Sequence, residues 1–309
     1  MYDTINLWLS LDEAGNINES KILQALNNVT TTSKSDGQIY HTGYLKNYRV
    51  ILSGQGVSLK GSLAKYFLPD NMHTLSRSDS SRALEMLSDI LHLPVLVADV
   101  KRIDLAQNFL MKYEPEAYYP LLGDCQYYQR IKQPKSLYYS NSLRQLVFYN
   151  KIAEARAKRE ILPDVWSGSN ILRYESRYTQ RLTKQFNRPE IKGHTLIDEK
   201  FYINLLDRWQ SEYEAIDKHQ LINFNILQMS SPKDFWKQIN LMAINMIGQD
   251  RIMQEVENLR HQKAFDKPEY YSRLKKEIKE LCKTPELTSS SSLIEELDNK
   301  IKNAKRNYR

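Results

Sequence analysis

Two carboxylates, one tyrosine and several cations sit on three stretches whose composition is that of extended strands. These are Val95–Met111 (VLVADVKRIDLAQNFLM), Ser142–Lys151 (SLRQLVFYNK) and Asn170–Gln180 (NILRYESRYTQ). Side chains alternate between the two sides of a strand. In the first stretch Ile103 and Leu105 mark a core side, which leaves Arg102 and Asp104 on the other. In the third, Leu172 and Tyr174 share one side and Arg173, Glu175 and Arg177 the opposite one. In the middle stretch Val147, Tyr149 and Lys151 fall together, opposite Leu146 and Phe148. If the three strands are neighbours, their polar sides meet.

Phosphoryl transfer is the chemistry such a set could support. A phenol of pKa about 10 is a poor nucleophile. Beside cations and a metal that polarises a phosphate it becomes a useful one. Asp104 and Glu175 are hard oxygen ligands of the kind Mg2+ or Mn2+ prefers. Lys151 would stabilise the phenolate and the charge on pentavalent phosphorus. One phosphodiester is exchanged for another, so the cut can be resealed. A plainer reading stays open beside this one. Arg102–Asp104 and Arg173–Glu175–Arg177 also suit cross-strand ion pairs, worth at most about 1 kcal/mol each when exposed. Tyr149 is one of 20 tyrosines, and a strand tyrosine is usually packing.

The elements that must carry these residues can be read from periodicity. Thr4–Leu9 alternates and predicts a first strand, and Thr30–Gln38 predicts a polar loop. From Tyr48, YRVILSGQGVSLKGSL predicts two strands joined by a turn at Ser53–Gly56. Leu84, Leu87 and Leu91 predict a helix over Ser78–Leu91, and AEARAKRE (Ala153–Glu160) favours helix by propensity. The character changes near Leu196. Phe201, Leu205, Trp209, Tyr213 and Ile216 form one helical stripe, and beyond Pro232 the chain reads as entirely helical. Three further stripes follow: Phe235, Ile239, Met242, Met246; then Leu274, Ile278, Leu281; then Leu293, Leu297, Ile301. All are expected to be packing faces. A serine-rich linker, Thr288–Ser292, precedes the last. The fold class expected is α+β, an antiparallel or mixed sheet over residues 1–217 followed by an all-helical region over 218–309.

Composition narrows the partners. At 41% hydrophobic and 26% charged, the chain is that of an ordinary globular protein, and no apolar run approaches a membrane span. MYDTINLWLSLDEAG lacks the pattern of a secretory signal, and Cys125 and Cys282 lack CxxC spacing. That excludes a thiolate zinc site and fits a reducing cytoplasm. The net charge is +7. Between Arg130 and Lys192 there are 14 basic and 5 acidic residues, a local excess that suits a polyanion. Within it, RIKQPKSLYYSNSLR combines Lys132, Lys135 and Arg144 with Tyr138 and Tyr139, cations for phosphates and rings for unpaired bases.

The same segments carry a family resemblance. YDTINLWL, GVSLKGSLAKYFLPDN (Gly56–Asn71), RIDLAQN (Arg102–Asn108), LVFYNKIAE (Leu146–Glu154) and LRYESR (Leu172–Arg177) stand in the order found in the gene II/gene X family of phage and plasmid replication initiators. The chain resembles that family over roughly residues 1–215. The resemblance implies a rolling-circle initiator whose fold is related to the palm of such initiators and of relaxases. It implies site-specific nicking of one strand at an origin, with a 5′-phosphotyrosine on Tyr149 and a 3′-hydroxyl primer. By motif match it implies Asp104 and Glu175 as ligands of Mg2+ or Mn2+, with Arg102, Arg173 and Arg177 as flanking cations on the DNA. One departure is the lack of a His-hydrophobe-His triplet, which leaves the third ligand open, with His41 or Asp99 as candidates. Origin DNA, single-stranded near the nick, is the expected partner, and no membrane is expected. A host helicase or a second copy stays open for the helical tail. A non-catalytic origin-binding protein or repressor, or a relaxase or transposase using the same tyrosine, are the alternatives.

Overall fold

Alternating apolar and polar residues build one sheet of ten strands in the computed structural model. The structure describes residues 1–15, 17–160, 162–219, 221–222, 231–282, 288–289 and 291–308. In chain order the strands are β1 (Tyr2–Ser10), β2 (Asn27–Ser33), β3 (Ile39–Leu45), β4 (Tyr48–Ser53), β5 (Gly56–Ser62), β6 (Asp99–Leu110), β7 (Leu122–Cys125), β8 (Gln129–Gln133), β9 (Ser136–Ser140), β10 (Arg144–Asn150), β11 (Ile171–Tyr178), β12 (Ile216–Lys218), β13 (Leu221–Ile222) and β14 (Thr288–Ser289). Across the large sheet the order is β2-β3-β4-β5-β1-β6-β11-β10-β9-β8, and each neighbouring pair is antiparallel. The pairs β7–β12 and β13–β14 stand apart.

The helices are α1 (Leu11–Ala14), α2 (Glu19–Gln24), α3 (Leu63–Phe67), α4 (Arg77–Leu91), α5 (Lys151–Ala157), α6 (Leu182–Gln185), α7 (Glu199–Glu214), α8 (Pro232–Ile247), α9 (Gln249–His261), α10 (Pro268–Cys282) and α11 (Ser292–Tyr308). Helix α4 starts at a capping box between Ser76 and Asp79 and buries Ala83, Leu84, Leu87 and Leu91. Asp198 caps α7, which buries Phe201, Leu205, Trp209 and Tyr213. These helices share one core with Ile5, Leu7, Ile103, Leu105, Leu146, Phe148, Leu172 and Tyr174 of the sheet. Phe148 stacks on Tyr174 with ring centroids 4.5 Å apart. One side of the sheet is therefore apolar and helix-covered. The polar side of its central strands is left to do something else.

Helices α8, α9 and α10 gather around a smaller core of Leu241, Ile244, Val256, Tyr271, Ile278 and Cys282. Helix α11 returns to the main core through Ile294, Leu297, Ile301 and Ala304. It is tied beside α7 by Tyr213 to Asp298 (2.5 Å) and Lys305 to Asp207 (2.7 Å). None of the described helices is long and apolar enough to cross a membrane.

Several expectations change in detail. Thr30–Ser33 are strand, because β-branched threonines suit a pleated edge. The turn is confined to the residues after them, where Gly37 takes φ +81°. Val95–Val97 form a 3-10 turn after Pro94, so the long run becomes strand only at Asp99. Lys151 opens α5 instead of ending β10. The stripe on α8 is not a packing face: Phe235 and Met242 are each 44% exposed and Met246 77%, while Gln238, Leu241 and Ile244 turn inward. Of the linker at Thr288–Ser292, Ser290 lies outside the described residues, Thr288 and Ser289 pair with β13, and Ser292 opens α11.

Candidate active site

The register of three adjacent strands brings the chemistry-bearing residues together. Between β6 and β11, Asp104 faces Arg177 and Asn108 faces Arg173. Between β11 and β10, Arg173 faces Tyr149 and Glu175 faces Val147. The adjacency that strand faces alone could not fix is thus present. Asp104, Tyr149 and Glu175 line one cleft of about 580 Å³ on the polar side of the sheet. Helix α5 borders it with Glu154, Lys158 follows at the end of that helix, and Ser62 and Lys65 close another edge. A register shift in β1 between Tyr2 and Ile5 places both of those residues in the core although they are three apart. That extra residue leaves Asp3 on the cleft side.

Glu175 is the hub. Its carboxylate accepts from Tyr149 Oη at 2.7 Å and Arg173 Nε at 2.6 Å on Oε1, and from Arg177 Nε at 2.7 Å on Oε2. Arg173 is fully buried and reaches Asp3 (Nη2 to Oδ2, 2.8 Å) and the Asn71 carbonyl (Nη1, 3.0 Å). Burial pushes the Glu175 carboxyl up, but Arg173, Arg177 and the Tyr149 hydroxyl outweigh it and hold it at about 2. Burial also lifts the Tyr149 phenol well above its ordinary 10, with Arg173 pulling it back and Glu175 adding to the rise. In the resting protein Tyr149 is a neutral phenol pointed at an ionised carboxylate.

Asp104 receives both Nε (2.8 Å) and Nη2 (2.7 Å) of Arg102. Burial nevertheless pushes its carboxyl up to about 6. Two acids in one cleft are therefore driven apart, one fixed as a base and one able to hold a proton near neutrality. Each has an opposite effect on stability. The fold favours the protonated form of Asp104, so its contribution is present below pH 3.8 and lost as pH rises through about 6. Glu175 contributes above 4.5, and that is lost as pH falls toward about 2. Compared with an Asp104→Asn variant, the wild type is expected to lose roughly 2 kcal/mol between pH 4 and pH 7. Urea titrations across that range measure it, and a pH-independent difference between the two proteins would contradict the assignment.

As arranged, these donors do not form a divalent-ion site. Both Asp104 oxygens and both Glu175 oxygens are already engaged by guanidinium or hydroxyl donors. Among the described residues no cluster of three His, Cys, Asp or Glu side chains is arranged to hold a metal. His41 sits on β3, bonded to Thr31 and Glu19, four strands from β6. Asp99 is paired with Lys101 and Lys192. Neither lines the cleft.

The expected cations and rings divide into three groups. Arg102, Arg177, Lys135 and Tyr138 line the cleft. Arg144 borders a smaller adjoining hollow with Arg102 and Arg177, and is paired with Glu212. Lys132, on edge strand β8, lies 3.7 Å from Asp250 of α9 and away from the cleft. Three expectations are corrected. Tyr139 is fully buried, with its hydroxyl on the carbonyls of Leu122 and Gly123, so it cannot stack on a base. Arg173 is fully buried and anchors the acids, so it cannot reach a phosphate from outside. Lys151 is buried against Glu154 (2.7 Å), its ammonium outside the cleft lining and its pKa lowered by burial against the pull of that partner.

Sequence reasoning missed Asp3, Lys65, Asn71, Asn108 and Lys158. A signal existed for several. Asp3 lies in the opening motif, Asn71 ends the second one and Asn108 the third.

The family model Phage_CRI, which describes the N-terminal part of a phage replication-associated protein, matches residues 1–212. That span includes every strand of the large sheet and every residue of the cleft. Among curated proteins, none matches the chain.

Proposed function

The chain belongs to the Phage_CRI family of replication-associated proteins, and from that premise we propose that it is a rolling-circle replication initiator that nicks and rejoins one strand at its origin. One observation carries the reading. The Tyr149 hydroxyl is 2.7 Å from a carboxylate, in a cleft edged by Arg102, Arg177, Lys65, Lys135 and Lys158. A scissile phosphodiester would place its non-bridging oxygens against Arg102 and Arg177.

Tyr149 Oη attacks phosphorus as its proton passes to Glu175 Oε1. The P–O3′ bond breaks, its electron pair goes to O3′, and Asp104 supplies the proton that completes the 3′-hydroxyl. The product is a 5′-phosphotyrosine, and the reverse sequence reseals the strand. A carboxylate held near 2 is a weak base. The proton therefore moves with bond formation, as negative charge passes from the phenol to phosphorus, and not ahead of it. The cations around the cleft favour that charge.

Supercoiled DNA carrying the origin, incubated with the protein and Mg2+ or Mn2+, tests this. Relaxed product, a protein–DNA adduct and a 3′ end that a polymerase extends are expected. Glu175→Gln is expected to lower nicking by about 100-fold or more while origin binding persists. Binding without a cut would favour a non-catalytic origin-binding protein, a reading favoured by the ion-paired state of both acids.

A further inference from the structure

The polar side of the sheet does not end at the cleft. Strand register places Arg102 of β6 opposite Asn6 of β1, Asn6 opposite Lys60 of β5, Lys60 opposite Arg49 of β4, and Arg49 opposite Tyr44 of β3. These five residues form one straight row that starts at the cleft. At about 4.8 Å per strand it extends roughly 19 Å. Trp8, Tyr40 and Ile51, together with Asn6 and Lys60 of the row, line a groove of about 460 Å³.

Arg49 and Lys60 face each other directly and both are exposed. Like charges opposed across a sheet repel. Among the described residues no carboxylate lies within ion-pairing distance of either. The other cations near the cleft already have a carboxylate within contact distance: Arg102 has Asp104, Arg177 has Glu175 and Lys135 has Glu116. A fold that keeps two unneutralised cations in register, with aromatic rings in and beside their row, is complementary to a flexible polyanion with flat faces. Single-stranded DNA has that chemistry, since cations take its phosphates and rings take its unpaired bases.

We propose that the row Arg102–Asn6–Lys60–Arg49–Tyr44, with Trp8 and Tyr40 beside it, is the track along which a single DNA strand leaves the cleft. The assignment of the occupant rests on the nicking reading, because the row is continuous with the cleft that would hold the scissile phosphate. The two cations neutralise successive phosphates, and Tyr44, 41% exposed at the far end, stacks on a base.

Fluorescence anisotropy with a labelled oligothymidine, at several salt concentrations, tests the track on the full chain. Arg49→Gln with Lys60→Gln is expected to reduce the slope of log affinity against log salt by about 1.4, that is about 0.7 per released contact. Tyr44→Ala is expected to weaken oligothymidine binding roughly tenfold while a duplex of equal length is little affected. Unchanged melting temperatures establish that these exposed substitutions leave the fold intact. An unchanged slope in the double variant overturns the track, and so does an equal loss for duplex and single strand. Origin nicking by the wild type is read in parallel. A reduced slope without any nicking keeps the track and removes the nuclease, whereas nicking with an unchanged slope does the reverse.

Discussion

Tyr149→Phe is expected to abolish the covalent DNA adduct and to reduce origin nicking by at least about 1000-fold, because the substitution removes the attacking oxygen itself. Its structural cost is expected to be small. The phenyl ring keeps its place on β10, and Glu175 retains Arg173 and Arg177, so about 1 kcal/mol of stability is at stake. Loss of adduct with a nearly unchanged melting temperature would separate chemistry from folding. Labelled origin oligonucleotide on a denaturing gel provides the readout. Tyr138 also lines the cleft and makes the natural control. An adduct that survives Tyr149→Phe and disappears in Tyr138→Phe would move the nucleophile one strand over, to β9.

Arg173→Met is expected to have the largest effect on the fold. The guanidinium is fully buried and holds Glu175 and Asp3 while donating to the Asn71 carbonyl. Its removal leaves two buried carboxylates without a shared counterion, and breaking one side of such a network typically costs about 3–5 kcal/mol. Arg173→Lys keeps the charge but cannot span three acceptors from one planar group, so it is expected to recover only part of the loss. The midpoint of urea denaturation reports both values. A change below about 1 kcal/mol for the methionine variant would mean that the acids find other partners, and that the network does not set the geometry of Tyr149.

Why the site was partly legible follows from period-two geometry. Arg102, Asp104, Glu175, Arg177 and Tyr149 could be assigned to faces because each lies inside a long strand flanked by unmistakable core residues such as Ile103, Leu172 and Phe148. Alternation does not survive an element boundary. Lys151 lies one residue past β10, where the chain turns into α5, so its side chain leaves the face that strict alternation gives it. Nor does alternation measure depth. Arg173 and Arg177 share a face and a charge, yet one is enclosed by Asp3, Asn71 and Asn108 while the other opens to the cleft. Tyr139 fails for a different reason, since neighbouring tyrosines on a strand must face opposite ways and only Tyr138 faces the cleft. On α8, periodicity identified a stripe correctly but not whether anything covers it, because a helical moment contains no information about neighbours. The row through Lys60 and Arg49 was invisible because it runs across strands, and only register creates it.

Helices α7 and α11 are side by side, yet 77 residues separate the last residue of one from the first of the other. The three described helices between them are a detour whose entrance and exit are pinned to the same wall. Chain closure grows costlier only slowly with length, so such a detour can be lengthened, trimmed or exchanged with little strain on what it departs from. Cassette-like divergence among relatives is expected there, while the strands that carry Tyr149 and Glu175 stay as they are.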